Sequence, residues 1–319
     1  MEVSADMPAD VRMMHEALLR LRDGAGETIT VDTDNCGTAM RFLTAYCACM
    51  PGWRVILTGC ERMQQRPIGP LVESLRTIGA DIRYLGHEGF PPIEIHGSVL
   101  HTVPVTMNRP LSTQFVSALL LSGIDVQTDA RSPYIELTKH CITNYEALLH
   151  RPVEADWSAA AFWFEWMALH RVCKPLLLKG LHRNSWQGDR KTVGLFKPLG
   201  VLTEYGSEGV VIRRMEPLVR FLKMDFSSIP DLYPAVAMTC YRLGIRLEAS
   251  GTETLRWKES DRIEAMQAVL SGSNDARHDH RIAMALLAAD RIPNDIQCIS
   301  KSYPLFVEQL QQINDTWKG

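Results

Sequence analysis

The first 138 residues of this 319-residue chain contain no lysine; Lys139 is the first. Positive charge in that half is carried by arginine and histidine alone, so any chemistry that needs an ammonium group must draw it from the second half. No apolar run is long enough to span a membrane, and the start, Met1-Glu2-Val3-Ser4-Ala5-Asp6, is polar and acidic, unlike a secretory leader. The net charge of −3 gives no basic excess for a nucleic-acid surface. An anionic small molecule would have to be met by locally clustered cations. The eight cysteines form no C-x-x-C pair, which argues against zinc and against a disulfide framework and fits a reduced, cytoplasmic compartment. Cys60 has no visible partner base and reads as incidental.

A composition of 46% hydrophobic and 22% charged residues is that of a soluble protein with room for two cores. We place the boundary just ahead of Asp156, giving domains 1–153 and 154–319. Along the first, Val11, Met14, Leu18 and Leu21 recur at helical spacing over residues 8–22. Residues 27–31 and 53–58 read as strands. Pro67 suits the start of a helix that runs to Ile78, preceded by a basic loop from Arg62. Residues 91–97 give a further strand and a turn.

The strand–helix–strand–strand unit recurs. Leu75-Arg76-Thr77-Ile78-Gly79-Ala80-Asp81-Ile82 is echoed by Phe196-Lys197-Pro198-Leu199-Gly200-Val201-Leu202-Thr203. Each is a helix end, a glycine step and a new strand. Two other helices stop short. Tyr145 to Leu149 runs into Arg151-Pro152, and Met266 to Leu270 into Ser271-Gly272. The unit is complete in two places and trimmed in two. Trimmed sheets would leave open edges, so monomer and dimer both stay open.

Several helix starts carry chemistry. Lys258-Glu259-Ser260-Asp261-Arg262 and Asp279-His280-Arg281 each set cations and carboxylates ahead of an apolar helical pattern. Unpaired N–H groups of a first turn plus an arginine fork suit a phosphate or carboxylate. The plain alternative is two solvated helix starts with surface ion pairs. Asn35-Cys36-Gly37-Thr38-Ala39-Met40-Arg41 opens another helix, either as a plain strand-to-helix turn or as a place where glycine lets the backbone approach a ligand, with Arg41 one turn in. Arg66 precedes Pro67 and could face ligand or solvent. Ser112-Thr113-Gln114 are either caps or phosphate donors. Asp231 is either a dipole-stabilised carboxylate or a base. Asp156 opens a long apolar helix to Leu169, and Lys301-Ser302-Tyr303-Pro304 precedes the last helix.

Taken in order, the stretches 35–41, 66–68, 112–114, 229–231, 258–262, 279–281 and 301–304 resemble the EPSP synthase (3-phosphoshikimate 1-carboxyvinyltransferase) family over almost the whole chain. The resemblance implies an α/β (α+β) fold of two similar domains built from repeated βαβαββ units, with the active site in the interdomain cleft. It implies a reaction without cofactor or metal, in which the 5-hydroxyl of shikimate 3-phosphate adds to phosphoenolpyruvate and phosphate leaves. Carried over by motif, Asp231 is the base, with Lys258 and Glu259 as proton-transfer partners. Gly37, Arg66, Gln114, Arg262, Arg281 and Lys301 hold phosphoenolpyruvate. Ser112, Thr113 and Tyr134 hold shikimate 3-phosphate, and Thr38 and Arg41 are further binding candidates.

There are departures. The family begins with a Lys-Ser-x-Ser-Asn-Arg motif, this chain starts just after where that motif is expected, and the lysine-free half offers no substitute. Its Ser-Arg/Lys-Pro-Tyr stands here as Arg131-Ser132-Pro133-Tyr134, with the serine displaced by one. Each lost charge-assisted bond is worth about 1.5–3 kcal/mol. Two readings follow: a transferase of the shikimate pathway, or a degenerate homologue that binds an anionic metabolite or a partner chain without turnover.

Overall fold

The computed structural model describes residues 4, 6–24, 27–171 and 174–317. The chain forms two compact units: residues 1–145 with 257–259, and residues 146–256 with 260–319. Three residues of the second half of the sequence thus belong to the first unit.

In the first unit, helix α1 (Ala9–Asp23) precedes β1 (Thr28–Asp32), α2 (Gly37–Ala48), β2 (Arg54–Thr58), a short α3 (Glu61–Gln64), α4 (Gly69–Thr77), β3 (Asp81–Tyr84) and β4 (Ile93–His96). The stretch after Arg62, expected as loop, therefore includes one helical turn. The helix expected from Pro67 starts at Gly69. The sheet order is β1-β2-β4-β3, with β1 and β2 parallel and the other pairs antiparallel. Alternation puts Val55, Leu57, Ile93 and Ile95 into the core under α2 and α4. Next come β5 (Val105–Thr106), α5 (Thr113–Leu121), β6 (Val126–Gln127) and α6 (Pro133–Thr143). Here β5 and β6 form only a two-residue parallel pair.

In the second unit, α7 (Tyr145–Leu149, its first residue still in the first unit) leads to α8 (Trp157–Leu169), β7 (Leu176–Lys179), α9 (Thr192–Phe196), β8 (Val201–Tyr205) and β9 (Gly209–Arg214). The sheet order β7-β9-β8, antiparallel throughout, repeats β2-β4-β3. The repeat extends to the backbone. Gly79 and Gly200 take φ of +98° and +103° at the same helix-to-strand step, a conformation L side chains rarely adopt. Helix α8 is buried all round from Trp157 to Ala168 and forms the centre of this core. The unit closes with β10 (Phe221–Asp225), α10 (Tyr233–Leu243), β11 (Arg246–Ser250), α11 (Arg262–Leu270), α12 (His280–Ala288) and α13 (Phe306–Trp317). Strands β10 and β11 form another isolated parallel pair. The repeats read as trimmed near His150 and Ser271 thus end in a helix, with no antiparallel strands following among the described residues.

Candidate functional site

In the first unit Gly37, Thr38, Arg41, Arg66 and Gln114 meet at the start of α2. Cys36 caps that helix, its Sγ accepting from the Ala39 N–H at 3.3 Å. A Cβ on Gly37 would lie 2.4 Å from Arg41 Nη1 and 2.5 Å from Arg66 Nη2, so two guanidiniums crowd over this glycine and any side chain there would push them aside. Arg41 is 3% exposed and Arg66 4%. Arg41 donates to the Gly37 carbonyl at 3.0 Å and lies 5.5 Å from the Phe115 ring centre, while its Nε meets no acceptor. Arg66 donates to the carbonyls of Asn35 and Trp257 at 3.2 and 3.1 Å and to Asn35 Oδ1 at 3.3 Å. Carbonyls and an amide, not carboxylates, receive these bonds. Burial holds the Arg41 guanidinium down at about 9, and Arg66 pushes the same way, against the pull of Glu259 and Cys36. A buried cation without a bonded counter-charge is costly unless an anion arrives.

Other elements complete this cradle. Gln114 Nε2 donates to Thr38 Oγ1 at 3.1 Å, tying the start of α5 to the start of α2. Ser112 caps α5, its hydroxyl accepting from the Gln114 N–H at 3.3 Å, and Thr113 is the first helical residue. Capping and ligand binding are compatible, because the hydroxyl proton of Ser112 is still free to be donated. Tyr134 stands at another helix start. Ser132 caps α6 through the Tyr134 N–H at 3.3 Å, which is the use the structure finds for the displaced serine. Lys258 and Glu259, both half-buried, belong to this first unit.

Asp231, Arg262, Arg281 and Lys301 belong to the second unit. Helix α11 starts at Arg262, so Lys258, Glu259 and Ser260 lie ahead of it, not in its first turn. Its free N–H groups are taken by its own cap: Asp261 accepts from Ile263 and Glu264, both at 3.1 Å. Asp279 caps α12 and accepts from the Arg281 N–H at 3.0 Å. These two helix mouths are therefore filled by aspartates. The ion pairs there are not solvated either. Arg262 is 1% exposed and Asp279 fully buried. Arg262 donates from Nε and Nη2 to the two Asp279 oxygens at 2.7 and 3.2 Å, and from Nη1 to Asp231 at 2.7 Å. Ser260 donates to Asp279 at 3.0 Å. Asp231 sits on a 3-10 turn, Pro230–Leu232, ahead of α10, and its second oxygen lies 3.5 Å from Arg281 Nη2. Burial works to lower Arg281, but Asp231, Asp156 and Asp189 outweigh it, against opposition from Arg262, and its affinity for a proton is raised. Lys301 closes a 3-10 turn, Gln297–Lys301.

Motif reading missed Arg62. One turn before Arg66, it donates from Nε and Nη2 to the Lys258 carbonyl at 3.2 and 3.1 Å. It also missed Glu165, fully buried in α8 with both oxygens unpartnered. A cavity of about 500 Å³ in the second unit, walled by Asp156, Trp163, Leu178, Ser302 and Tyr303, does not include Asp231, Arg262 or Arg281.

Comparison with known proteins follows the same lines. A family model described as EPSP synthase (3-phosphoshikimate 1-carboxyvinyltransferase) matches residues 11–147 and 123–272. A 3-phosphoshikimate 1-carboxyvinyltransferase of Bacteroides fragilis (strain ATCC 25285) is 33% identical over 365 residues, covering 96% of this chain and 88% of the relative. The protein of that name from Methanoculleus marisnigri is 30% identical over 342 residues, covering 90% and 79%. Both alignments are longer than the 319 residues of this chain, so the relatives carry internal residues that it lacks. Among solved structures, EPSP synthase from Acinetobacter baumannii superposes with a TM-score of 0.61 at 19% identity, over 89% of this chain and 78% of that one. That likeness supports the two-domain fold.

Proposed function

Since this chain belongs to the EPSP synthase (3-phosphoshikimate 1-carboxyvinyltransferase) family, we propose that it transfers the enolpyruvyl group of phosphoenolpyruvate to the 5-hydroxyl of shikimate 3-phosphate. In this reading the hydroxyl oxygen bonds to C2 of phosphoenolpyruvate, its proton passes to a base and C3 takes up a proton. The tetrahedral adduct then loses phosphate and one C3 proton, leaving the enol ether.

The observation that carries the reading is the pair of buried guanidiniums over Gly37. A dianionic phosphate or a carboxylate there would relieve two cations that now bond only to neutral acceptors. We assign Gly37, Arg66 and Gln114, with Arg262, Arg281 and Lys301, to phosphoenolpyruvate. Ser112, Thr113 and Tyr134 go to shikimate 3-phosphate, with Thr38 and Arg41 supporting the cradle. Asp231 is the base for the 5-hydroxyl, its oxygens oriented by Arg262 and Arg281. Lys258 and Glu259 form the ammonium–carboxylate pair that moves the C3 proton.

The test is phosphate release from phosphoenolpyruvate plus shikimate 3-phosphate. Release that needs both substrates and disappears in Asp231→Ala is expected. A second reading, an anion-binding homologue without turnover, is favoured by one observation: Arg262 already spends Nε, Nη1 and Nη2 on two carboxylates. Calorimetric binding of shikimate 3-phosphate with no phosphate release would select that reading.

A further inference from the structure

Arg62 and Arg66 sit one turn apart and grip successive peptide carbonyls of the same distant segment. Arg66 Nε bonds the carbonyl of Trp257 at 3.1 Å, and Arg62 brings Nε and Nη2 to the carbonyl of Lys258 at 3.2 and 3.1 Å. The segment they hold, residues 257–259, is the one the second half of the sequence lends to the first unit. It is too short to form a regular element of its own, lying between a 3-10 turn that ends at Trp257 and the cap of α11 at Asp261. Side chains of the first unit bond its main chain at two successive carbonyls.

We propose that Arg62 is a positioning residue: it fixes the main chain at Lys258 and so sets Lys258 and Glu259 beside the cradle at Gly37. The role of Lys258 and Glu259 in proton transfer rests on the function proposed above, but the clamp itself does not. The division of labour follows from geometry. Arg66 faces two ways, with Nη2 over Gly37 and Nε on the segment, so it joins binding to positioning. Arg62 brings two of its nitrogens, Nε and Nη2, to one carbonyl. Glu259 lies close enough to Arg41 to raise that guanidinium's affinity for a proton, so a displaced segment would also disturb the cradle's charge. A clamp on a carbonyl is indifferent to the identity of the side chain that residue carries, which suits a device for placing reactive side chains through the main chain.

The experiment compares wild type with Arg62→Ala, Arg62→Gln and Arg62→Lys, each first checked for an unchanged melting temperature. Two measurements are made on the native full chain. The first is trypsin cleavage after Lys258, whose scissile carbonyl is the one Arg62 holds. The second is the steady-state kinetics of phosphate release. Expected for Arg62→Ala is cleavage at that bond several-fold faster, and kcat lower by about tenfold or more with KM for phosphoenolpyruvate changed less than about twofold. Arg62→Gln, which keeps a donor without the charge, should recover part of both. Cleavage no faster than wild type overturns the proposal, as does faster cleavage with unaltered kcat. If wild type releases no phosphate, the transferase reading fails by itself, and the trypsin comparison still decides whether Arg62 fixes Lys258.

Discussion

Each unit buries a pair of arginines, and the pairs are treated in opposite ways. Arg41 and Arg66 in the first unit bond to carbonyls and an amide. Arg262 and Arg281 in the second share Asp231, and Arg262 also holds both oxygens of Asp279. The first pair is an electrostatic vacancy and the second a closed circuit. Identical side chains at helix starts can therefore mean a site that waits for charge or one that has already spent it, and the position of the aspartates decides between them. For the proposed reaction the asymmetry is useful. The open pair suits a phosphate or carboxylate that comes and goes. The closed pair holds Asp231 in a defined orientation.

The sharpest way to break the contrast is to open the closed pair. Asp279→Ala removes both partners of the Arg262 fork, the acceptor of Ser260 and the cap of α12. Taking one carboxylate away from a buried ion-pair network costs about 3–5 kcal/mol, even though Arg262 keeps Asp231, and urea unfolding should show a loss of that size. A cost below about 1 kcal/mol would mean that the circuit is not closed in solution.

The next step fills the open pair. Inorganic phosphate at about a hundred times its dissociation constant should stabilise the protein by about 2.7 kcal/mol. Hydrogen exchange should place the added protection at the start of α2. Arg66→Met should abolish the effect. Protection centred on α11 and α12 instead would reverse the assignment of open and closed. A smaller effect is expected from emptying the open pair. Arg41→Met removes a buried cation whose Nε has no acceptor, so replacement by a group of similar length should cost less than about 1 kcal/mol or stabilise. A loss as large as that of Asp279→Ala would show that Arg41 is neutralised in a way the structure does not display.

Much of this was legible beforehand, for physical reasons. The repeat could be read because one backbone demand, a left-handed glycine between helix and strand, leaves the same residue at Gly79 and Gly200. The family could be read because its motifs stand in order along the chain. The closed circuit could not. Arg262 meets partners 17 and 31 residues away, and the order of the chain gives no sign that two helix starts share one aspartate. Nor could Arg62: a bond to a carbonyl leaves no trace in the identity of the residue that accepts it. Glu165 was hidden for a third reason. One carboxylate in Trp157–Leu169 looks like a polar position on an apolar helix until every face of that helix is found buried.

Glu165 supplies the last test, because it is a buried carboxylate of the second unit with no hydrogen-bond partner among the described residues. Burial raises its affinity for a proton well above that of an ordinary glutamate, with Arg242 pulling the other way. Arg41 carries its charge below about 9, whereas for Glu165 the same predicament shifts the balance toward the uncharged form. The sign of the resulting pH dependence is fixed. The unfolded chain loses this proton near about 4.3, and the folded one holds it to higher pH. Its contribution is therefore complete below the unfolded value and is lost as pH rises toward the folded one, at up to about 1.4 kcal/mol per pH unit. Carboxylates such as Asp279 titrate in the opposite sense, so the quantity to measure is the difference between wild type and Glu165→Gln from pH 4 to 8. That difference should be small at the acid end and should grow in favour of Glu165→Gln as pH rises. Parallel curves would mean that Glu165 is charged in the fold and has a partner after all.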